Sequence, residues 1–391
     1  MFELADRMSR LGTESAFQVL ARARELEARG RDVIHLEIGE PDFDTPAHIV
    51  EAACRALHEG WTHYTASQGI PELRNLIAEQ TSHRRAQPVE PAQVVVTPGA
   101  KPIMFYTLLA LAQPGREVIY PDPGFPIYKS MIDFCGAKAV PLPLREEMDF
   151  RLQVDELRSL ITERTALVIL NSPHNPTGGA LEPSDLEAIA ELCIRHNIPV
   201  LSDEVYEEIL YDGSFCSIAT FPGMSTRERT IILHGFSKTY AMTGWRLGYG
   251  VMPEWLAEQV NRLMVNSNSC TNAATQWAGV AALTGPQEPV AEMVEAFRQR
   301  RRVIVDGLNS IPGISCRMPR GAFYVFPNIS GTGLRSQECE KLLLQRAGVA
   351  TLSGTSFGDM GEGYLRLSYA NSIENIEKAI ERVRRTLEDI A

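Results

Sequence analysis

The feature of this sequence that most constrains its fold is a regular alternation of short apolar segments with helical patterns. Helical patterns occupy several of the intervening stretches, including 100–112 and 183–196. Short unbroken apolar strands that alternate with helices are typical of βαβ units and of a mainly parallel sheet. The sequence therefore predicts an α/β fold with strands at 94–96, 117–120, 167–170, 198–201, 230–233 and 247–251.

The length of the chain predicts more than one structural unit. At 391 residues it is long for a single hydrophobic core. The C-terminal part mixes strand patterns with helices, the last of which starts near Ser372. We predict an N-terminal arm and small-domain segment over 1–45, a large domain over 46–285 and a small α+β domain over 286–391.

Charge and cysteine content narrow the class of protein. The formal net charge of −11 argues against a general nucleic-acid or membrane-surface binder, because both ligands are polyanions. The seven cysteines form no C-x-x-C pair, so neither a zinc site nor a disulfide framework is indicated. The unpaired pattern predicts reduced thiols, which are typical of a cytoplasmic protein, and we expect no bound metal. No signal peptide is visible, and no apolar run has the length of a membrane helix.

One motif matches a catalytic pattern but lacks its context. Gly354-Thr-Ser-Phe-Gly358 fits the G-x-S-x-G nucleophile elbow letter for letter. The elbow needs a helix after the serine, whereas here a glycine-rich stretch and then another strand pattern follow. We therefore predict a glycine-rich loop at this position, which argues against a serine hydrolase.

Polar clusters follow several of the predicted strands. In an open parallel sheet, ligands bind beyond the carboxyl ends of the strands. A solitary member of such a cluster is ordinarily a turn residue, a helix cap or a solvated lysine. Their joint placement predicts a binding site made from Thr97-Pro-Gly-Ala-Lys101, Asn171-Ser-Pro-His-Asn-Pro-Thr-Gly178, Asp203-Glu-Val-Tyr206 and Ser237-Lys238.

Taken together, these clusters resemble the fold-type I pyridoxal-phosphate enzymes, specifically the class I/II aminotransferases of the aspartate aminotransferase superfamily. The resemblance extends from 39–46 to 364–370. It is strongest in Ser237-Lys-Thr-Tyr-Ala-Met-Thr-Gly-Trp-Arg-Leu-Gly248, which matches the lysine-bearing motif of the family. The resemblance implies pyridoxal 5′-phosphate as cofactor. It also implies a large domain with a mainly parallel seven-stranded sheet between helices, plus a smaller α+β domain.

The resemblance also implies roles around the cofactor ring. Lys238 would form the Schiff base and act as the proton shuttle, since an unmodified lysine is almost fully protonated at neutral pH. Asp203 would pair with the pyridine nitrogen, and Tyr206 and Asn175 would donate to the phenolic oxygen. Phe125 resembles the aromatic residue that stacks on the ring, although a core residue is the alternative at this position.

Further residues are implied for the phosphate and the substrate. The phosphate would be held by Ser237, Arg246 and the backbone of Gly99, Ala100 and Lys101. Tyr64 resembles a tyrosine that reaches the phosphate of the neighbouring subunit, which implies a homodimer with a shared active site. Substrate-binding positions are Gly39, Asn175 and Arg366, whose planar guanidinium suits a carboxylate.

The substrate side chain is left open by the sequence. The region 266–271 lacks the arginine that binds the distal carboxylate in some aspartate aminotransferases. Lys101 resembles a lysine used for distal carboxylates in a bacterial branch, so a dicarboxylic substrate is one alternative and a solvated lysine the other. Glu14 lies where family members build the pocket entrance, and it either selects a cationic side chain or is a helix-start acid.

The leading hypothesis is an aminotransferase that moves an amino group from an L-amino acid to a 2-oxo acid, 2-oxoglutarate, by a ping-pong mechanism. A lyase that eliminates a β-substituent from cysteine-like substrates is the alternative on the same scaffold. A third hypothesis is the effector-binding module of a transcription regulator, which the absence of a preceding helix-turn-helix pattern disfavours. The expected partners are small molecules and a second copy of the chain.

Overall fold

The computed structural model describes residues 2–390, which form helices and strands in alternation. The strands are β1 (Ile34–His35), β2 (Val94–Thr97), β3 (Glu117–Asp122), β4 (Lys138–Pro143), β5 (Thr165–Asn171), β6 (Val200–Asp203), β7 (Thr230–Gly235), β8 (Gly248–Val251), β9 (Tyr324–Val325), β10 (Val349–Ala350), β11 (Leu352–Ser353) and β12 (Leu365–Ser368).

The helices cover both faces of the main sheet and most of the C-terminal part. They are α1 (Ser15–Ala28), α2 (Ala47–His58), α3 (Pro71–Arg85), α4 (Lys101–Leu111), α5 (Pro126–Phe134), α6 (Val154–Leu160), α7 (Pro183–His196), α8 (Phe236–Thr239), α9 (Glu254–Ser267), α10 (Ala273–Thr284), α11 (Glu288–Asn309), α12 (Ser336–Leu342) and α13 (Ile373–Glu388). Short 3₁₀ helices and one π-helical turn (Leu343–Ala347) fill several connections.

The main sheet has seven strands in the order β2-β8-β7-β6-β5-β3-β4. Only β8 runs against the others, because it pairs antiparallel with both β2 and β7. The remaining pairs are parallel, which confirms the predicted fold class. The sequence prediction missed β4 (Lys138–Pro143), an edge strand with two prolines and several residues that are not buried. Proline is tolerated there because an edge strand has one unpaired side.

Alternate residues of the central strands pack against opposite helical layers. In β5, Leu167 and Ile169 join the core that contains α4, α5 and α9. Val168 and Leu170 join the core that contains α7 on the other face. Successive side chains of a strand point to opposite faces, so a strand buried on both sides is apolar at every position. This burial explains why the strands were visible in the sequence as unbroken apolar segments.

The C-terminal part contains two small sheets and a separate core. β1 pairs parallel with β10, and β11, β12 and β9 form an antiparallel sheet. The apolar residues of these strands pack with residues of the two helices, for example Phe297 of α11 and Ile376 of α13. The domain boundaries at residues 45 and 285 stay predictions. No helix within residues 2–390 combines the length and apolar character needed to cross a membrane.

Candidate active site

The carboxyl ends of the central strands bring the predicted polar residues together. Asn171 ends β5 and lies in register with Asp203, which ends β6. The next strand, β7, ends at Gly235, and the short helix α8 follows it directly and carries Lys238. Neighbouring parallel strands end at the same edge of a sheet, so the three clusters converge as the sequence predicts.

Lys238 is a partly buried amine that faces backbone and aromatic groups. Its Nζ donates to the Gly39 carbonyl oxygen at 2.5 Å. The same atom lies 6.0 Å from the ring centroid of Tyr206 and 5.7 Å from that of Phe323. Burial lowers the pKa of Lys238 to about 8, and the nearby charge of Arg366 acts in the same direction. With this pKa about one amine in ten is neutral at pH 7, which makes it a usable base.

Asp203 is a buried carboxylate with one strong hydrogen bond. The Tyr128 hydroxyl donates to its Oδ2 at 2.5 Å, and the Val205 N–H donates to its Oδ1 at 3.4 Å. Burial raises the pKa of Asp203 to about 6, although the Tyr128 hydrogen bond opposes this rise. A cation placed beside this carboxylate would favour its ionised form. Tyr128 was not among the residues predicted from the sequence.

Two tyrosines near Lys238, one of them on β9, are joined by a hydrogen bond. The hydroxyls of Tyr206 and Tyr324 lie 2.7 Å apart, and burial raises the pKa of both. Both phenols therefore stay protonated, and one of the two hydroxyls donates to the other. A Cβ at Gly39 would lie 2.1 Å from the Tyr324 Oη, so only glycine lets the two segments approach this closely.

Arg366 lies on β12 with its guanidinium buried in the same region. Its Nη2 donates to the Glu37 carbonyl oxygen, and its Nη1 donates to the Asn175 Oδ1 at 3.3 Å. The guanidinium carbon stacks 4.5 Å from the ring centroid of Tyr324 and 4.9 Å from that of Phe357. Within residues 2–390 the buried Nε has no hydrogen-bond partner. A buried donor without a partner is costly, and an incoming carboxylate would satisfy it.

A cradle of donors lies at the start of α4. Gly99 has φ +86°, and a Cβ there would lie 2.2 Å from the Arg246 Nη2. A Cβ at Gly248 would lie 2.4 Å from the Ala100 nitrogen. Glycine at position 99 therefore gives space to the Arg246 side chain, and glycine at position 248 lets β8 approach the backbone before α4. Free N–H groups at a helix start, combined with the Arg246 guanidinium, form a donor set that fits a phosphate. Ser237 lies in α8 directly before Lys238.

Of three more residues from the sequence prediction, two lie next to this cluster and one lies on the surface. Phe125 precedes α5 and is partly buried, with its ring edge-on to Tyr128 at 5.6 Å between centroids. Lys101 begins α4, and its Nζ lies 5.4 Å from the Phe125 ring centroid while it pairs with Glu14. Tyr64 is 89% exposed in the segment between α2 and α3, so the structure places it on the surface rather than in the cluster.

Tyr128 and Tyr324 are the two site residues that the sequence prediction missed. For Tyr128 the sequence gives no clear signal, because α5 mixes apolar residues with Lys129, Ser130 and Asp133. For Tyr324 no signal exists either, since it follows Phe323 in an apolar segment and its partner lies 118 residues away.

The lysine, the buried aspartate and the anion-binding cradle define a class of pyridoxal-phosphate enzymes. The sequence profile of aminotransferases of class I and II matches residues 31–383, and the chain belongs to this family. It is a pyridoxal 5′-phosphate-dependent aminotransferase of fold type I, as the resemblance in the sequence predicts.

Relatives extend along almost the whole chain. The aspartate aminotransferase of Pyrococcus abyssi is 42% identical over 369 residues, which cover 93% of this chain and 94% of that protein. The aromatic-amino-acid aminotransferase 2 of Thermococcus litoralis is 40% identical, with 99% and 98% covered. The structure of the aspartate aminotransferase from Thermus thermophilus with maleate superposes with a TM-score of 0.94 at 37% identity, covering 99% and 100% of the two chains. These names do not favour the lyase alternative.

Proposed function

We propose that this aminotransferase moves the amino group of an L-amino acid to 2-oxoglutarate in two half-reactions, with Lys238 as the catalytic lysine. The observation that carries this proposal is a lysine amine with a lowered pKa that feels the charge of the buried Arg366, on the helix that follows the strand beside the one ending in the buried Asp203. Lys238 has a lowered pKa, while Arg366 has a donor left for a ligand. Pyridoxal phosphate, when bound, supplies an aldehyde that condenses with amines and a ring that accepts carbanion electrons.

The residues at the ends of the sheet strands would hold the cofactor and move the proton. Lys238 would attach the cofactor, and its free amine would take the proton from the substrate Cα and return it. Asp203 would pair with the ring nitrogen and raise the pKa of that nitrogen by about 1–3 units, so the protonated ring would be a better electron acceptor. Tyr206 and Asn175 would donate to the ring oxygen, and Phe125 would cover the ring face. Ser237, Arg246 and the backbone of Gly99, Ala100 and Lys101 would hold the phosphate.

Arg366 would bind the carboxylate that every amino acid shares. Its Nη atoms are already fixed by Glu37 and Asn175, so the guanidinium is oriented before substrate arrives. Hydrogen bonds to charged groups are worth about 1.5–3 kcal/mol each, enough to orient all substrates alike. Gly39 lines the same pocket through its backbone. Since relatives named for aspartate and for aromatic amino acids are about equally similar, we propose donors of both kinds.

The active protein would be a cytoplasmic homodimer in which Tyr64 reaches the phosphate of the neighbouring subunit. Tyr64 is 89% exposed, and the N-terminal segment exposes Phe2, Leu4 and Phe17 as well. Exposed apolar side chains grouped on one segment mark an interaction surface. A cytoplasmic location is supported by the seven cysteines, all of which are free thiols.

Amino acids added singly to the cofactor-loaded enzyme test the proposal. Without an acceptor, each donor is expected to change the cofactor absorbance once and to release one equivalent of 2-oxo acid. Full turnover should need 2-oxoglutarate. Continuous release of ammonia and 2-oxo acid without acceptor would instead establish the lyase.

Lys238→Ala tests the assignment of the lysine. We expect the variant to fold and to bind inorganic phosphate, but to lack the absorbance band of lysine-attached cofactor and to lose turnover. Lys341→Ala removes an exposed lysine on α12 and serves as the matched control. An intact absorbance band in Lys238→Ala would show that another residue attaches the cofactor.

A further inference from the structure

A series of charged side chains extends from the surface of α1 to the buried Arg366. Glu27 of α1 lies at the exposed end, and its Oε1 is 3.1 Å from the His35 Nε2. The other ring nitrogen of His35, Nδ1, lies 2.8 Å from the Glu37 Oε1. The Glu37 side chain is fully buried, whereas those of His35 and Glu27 are 31% and 42% exposed. The imidazole therefore joins a carboxylate at the surface to one in the interior.

The strand pattern places His35 and Glu37 on the same face of the chain. Leu36, between them, packs into the core that contains α11 and α13. Successive side chains of an extended segment point to opposite faces, so His35 and Glu37 share the other face. A buried carboxylate without a partner is costly. Within residues 2–390 the Glu37 Oε2 has no hydrogen-bond partner, so the bond from His35 to Oε1 is the one that this carboxylate has.

Glu37 lies against the guanidinium that the proposed function assigns to the substrate. The Arg366 Nη2 donates to the Glu37 carbonyl oxygen, while the Arg366 Nε is buried without a partner in the described chain. Burial lowers the pKa of Arg366, and this effect is opposed by the nearby side chains of Tyr324, Tyr206, Glu14 and Glu37. A Glu37 carboxylate that is not neutralised would therefore compete with a substrate carboxylate for the same cation.

The surroundings of His35 favour its protonated form. The hydrogen bond to Glu37 raises the pKa of His35 to about 9, and Glu27 adds to this rise although burial opposes it. Strand β10, which pairs with β1, contributes only Val349 and Ala350. At neutral pH His35 is therefore an imidazolium.

The third side of His35 faces the region of α13. Asn371, before that helix, donates to the His35 carbonyl oxygen at 3.1 Å. The charges in this region are Lys378 and Arg382 of α13, and both pair with Asp32. The carboxylates that bond to the imidazole ring are thus Glu27 and Glu37 alone within the described residues.

We propose that His35, as an imidazolium, neutralises the buried Glu37 and so keeps the charge of Arg366 available to the substrate carboxylate. His35 and Glu37 are then positioning residues, because they act on the substrate through Arg366. Every amino acid and 2-oxo acid carries this carboxylate, so the pair affects all substrates alike. When His35 loses its proton, the negative charge of Glu37 acts on Arg366 without compensation, and carboxylates bind more weakly. This inference rests on the proposed role of Arg366.

Binding of 3-phenylpropionate, an unreactive acid with a single carboxylate, to the cofactor-loaded enzyme tests the role of His35. Titration calorimetry measures the affinity. His35→Gln keeps a donor for Glu37 but removes the charge, so the affinity at neutral pH should fall about five- to tenfold. His35→Arg keeps a cation and should restore the affinity. The wild-type affinity should fall by the same factor as the pH rises through about 9, and the affinity of His35→Arg should not.

Glu37→Gln separates the charge effect from a loss of structure. This variant has no carboxylate to neutralise, so it should lack the alkaline fall in affinity, and adding His35→Gln should not weaken its binding further. Titration of the cofactor itself is shared by all the proteins, so the comparison isolates His35. His58→Gln is the matched control, because it removes an exposed histidine from the end of α2, and it should bind as the wild type does.

Two results would overturn the inference. One is a folded His35→Gln variant that binds the acid as tightly as the wild type at neutral pH. The other is an alkaline fall that persists in Glu37→Gln, which decides the question even where His35→Gln does not fold. Failure of the proposed function is a separate result, because Arg366→Lys would then bind the acid as tightly as the wild type at every pH.

Discussion

Replacing Tyr128 with phenylalanine removes one hydroxyl from the carboxylate proposed to set the charge of the cofactor ring. Tyr128 is fully buried, and its hydroxyl donates to the Asp203 Oδ2 at 2.5 Å. The other donor to this carboxylate, the Val205 N–H, lies 3.4 Å away and cannot substitute for it. The variant therefore leaves a buried carboxylate with one weak hydrogen bond.

The size of the effect follows from this geometry. A hydrogen bond to a charged group is worth about 1.5–3 kcal/mol, which corresponds to about 1–2 pKa units. Burial already raises the pKa of Asp203 to about 6, and the hydrogen bond favours the ionised form. Without it the pKa rises further, so the carboxylate forms only at higher pH. We expect the acidic limb of the kcat profile to move upward by about 1–2 pH units.

Steady-state kinetics of the cofactor-loaded enzyme between pH 5 and 9, roughly the range in which the groups titrate, measure this shift. Tyr106→Phe is the control, since it removes a buried hydroxyl that bonds to the Asn268 Oδ1 at 2.8 Å instead. An acidic limb that stays in place in a folded Tyr128→Phe variant would refute the reasoning. A similar shift in Tyr106→Phe would show that the effect is not specific to Asp203.

Three further substitutions test the cradle, the arginine and the tyrosine pair. Gly99→Ala should release the cofactor on dialysis because the new Cβ would lie 2.2 Å from Arg246. Gly115→Ala is the control: Gly115 also has a positive φ, +85°, but a Cβ there meets no atom, so this variant measures the effect of backbone strain alone. Arg366→Lys should raise KM for every amino acid by roughly tenfold or more, because the two-pronged contact is lost, and a loss limited to one donor would contradict this. Tyr324→Phe should lower kcat/KM about two- to tenfold through its lost hydroxyl contact, measured beside an unchanged circular dichroism spectrum.

The sequence predicts the parts of the fold that obey a local rule. Helix α7 has the limits that its pattern predicts, Pro183–His196, because a proline starts it and its apolar face repeats regularly. Strand β4 was missed because its alternating and proline-containing sequence resembles a loop. Its strand conformation depends on pairing with β3, which no local pattern records.

The residues of the candidate site also divide into those that a local sequence rule predicts and those that it does not. Asp203 and Lys238 were predictable because they follow apolar strands, and the ends of parallel strands meet. Tyr128 was not, since its partner lies 75 residues further along the chain. The pairing of Glu14 with Lys101 spans 87 residues and depends on how the N-terminal segment packs on α5. Such contacts are products of packing between elements, so they become visible only in three dimensions.

The contact between Arg366 and Glu37 has a consequence for the order in which the protein is made. The two residues are 329 positions apart, and β1 likewise pairs with β10 across the length of the chain. Asp203 and Lys238 leave the ribosome long before β12 does. A nascent chain can therefore complete its cofactor-binding strands while it still lacks the arginine that grips an amino acid.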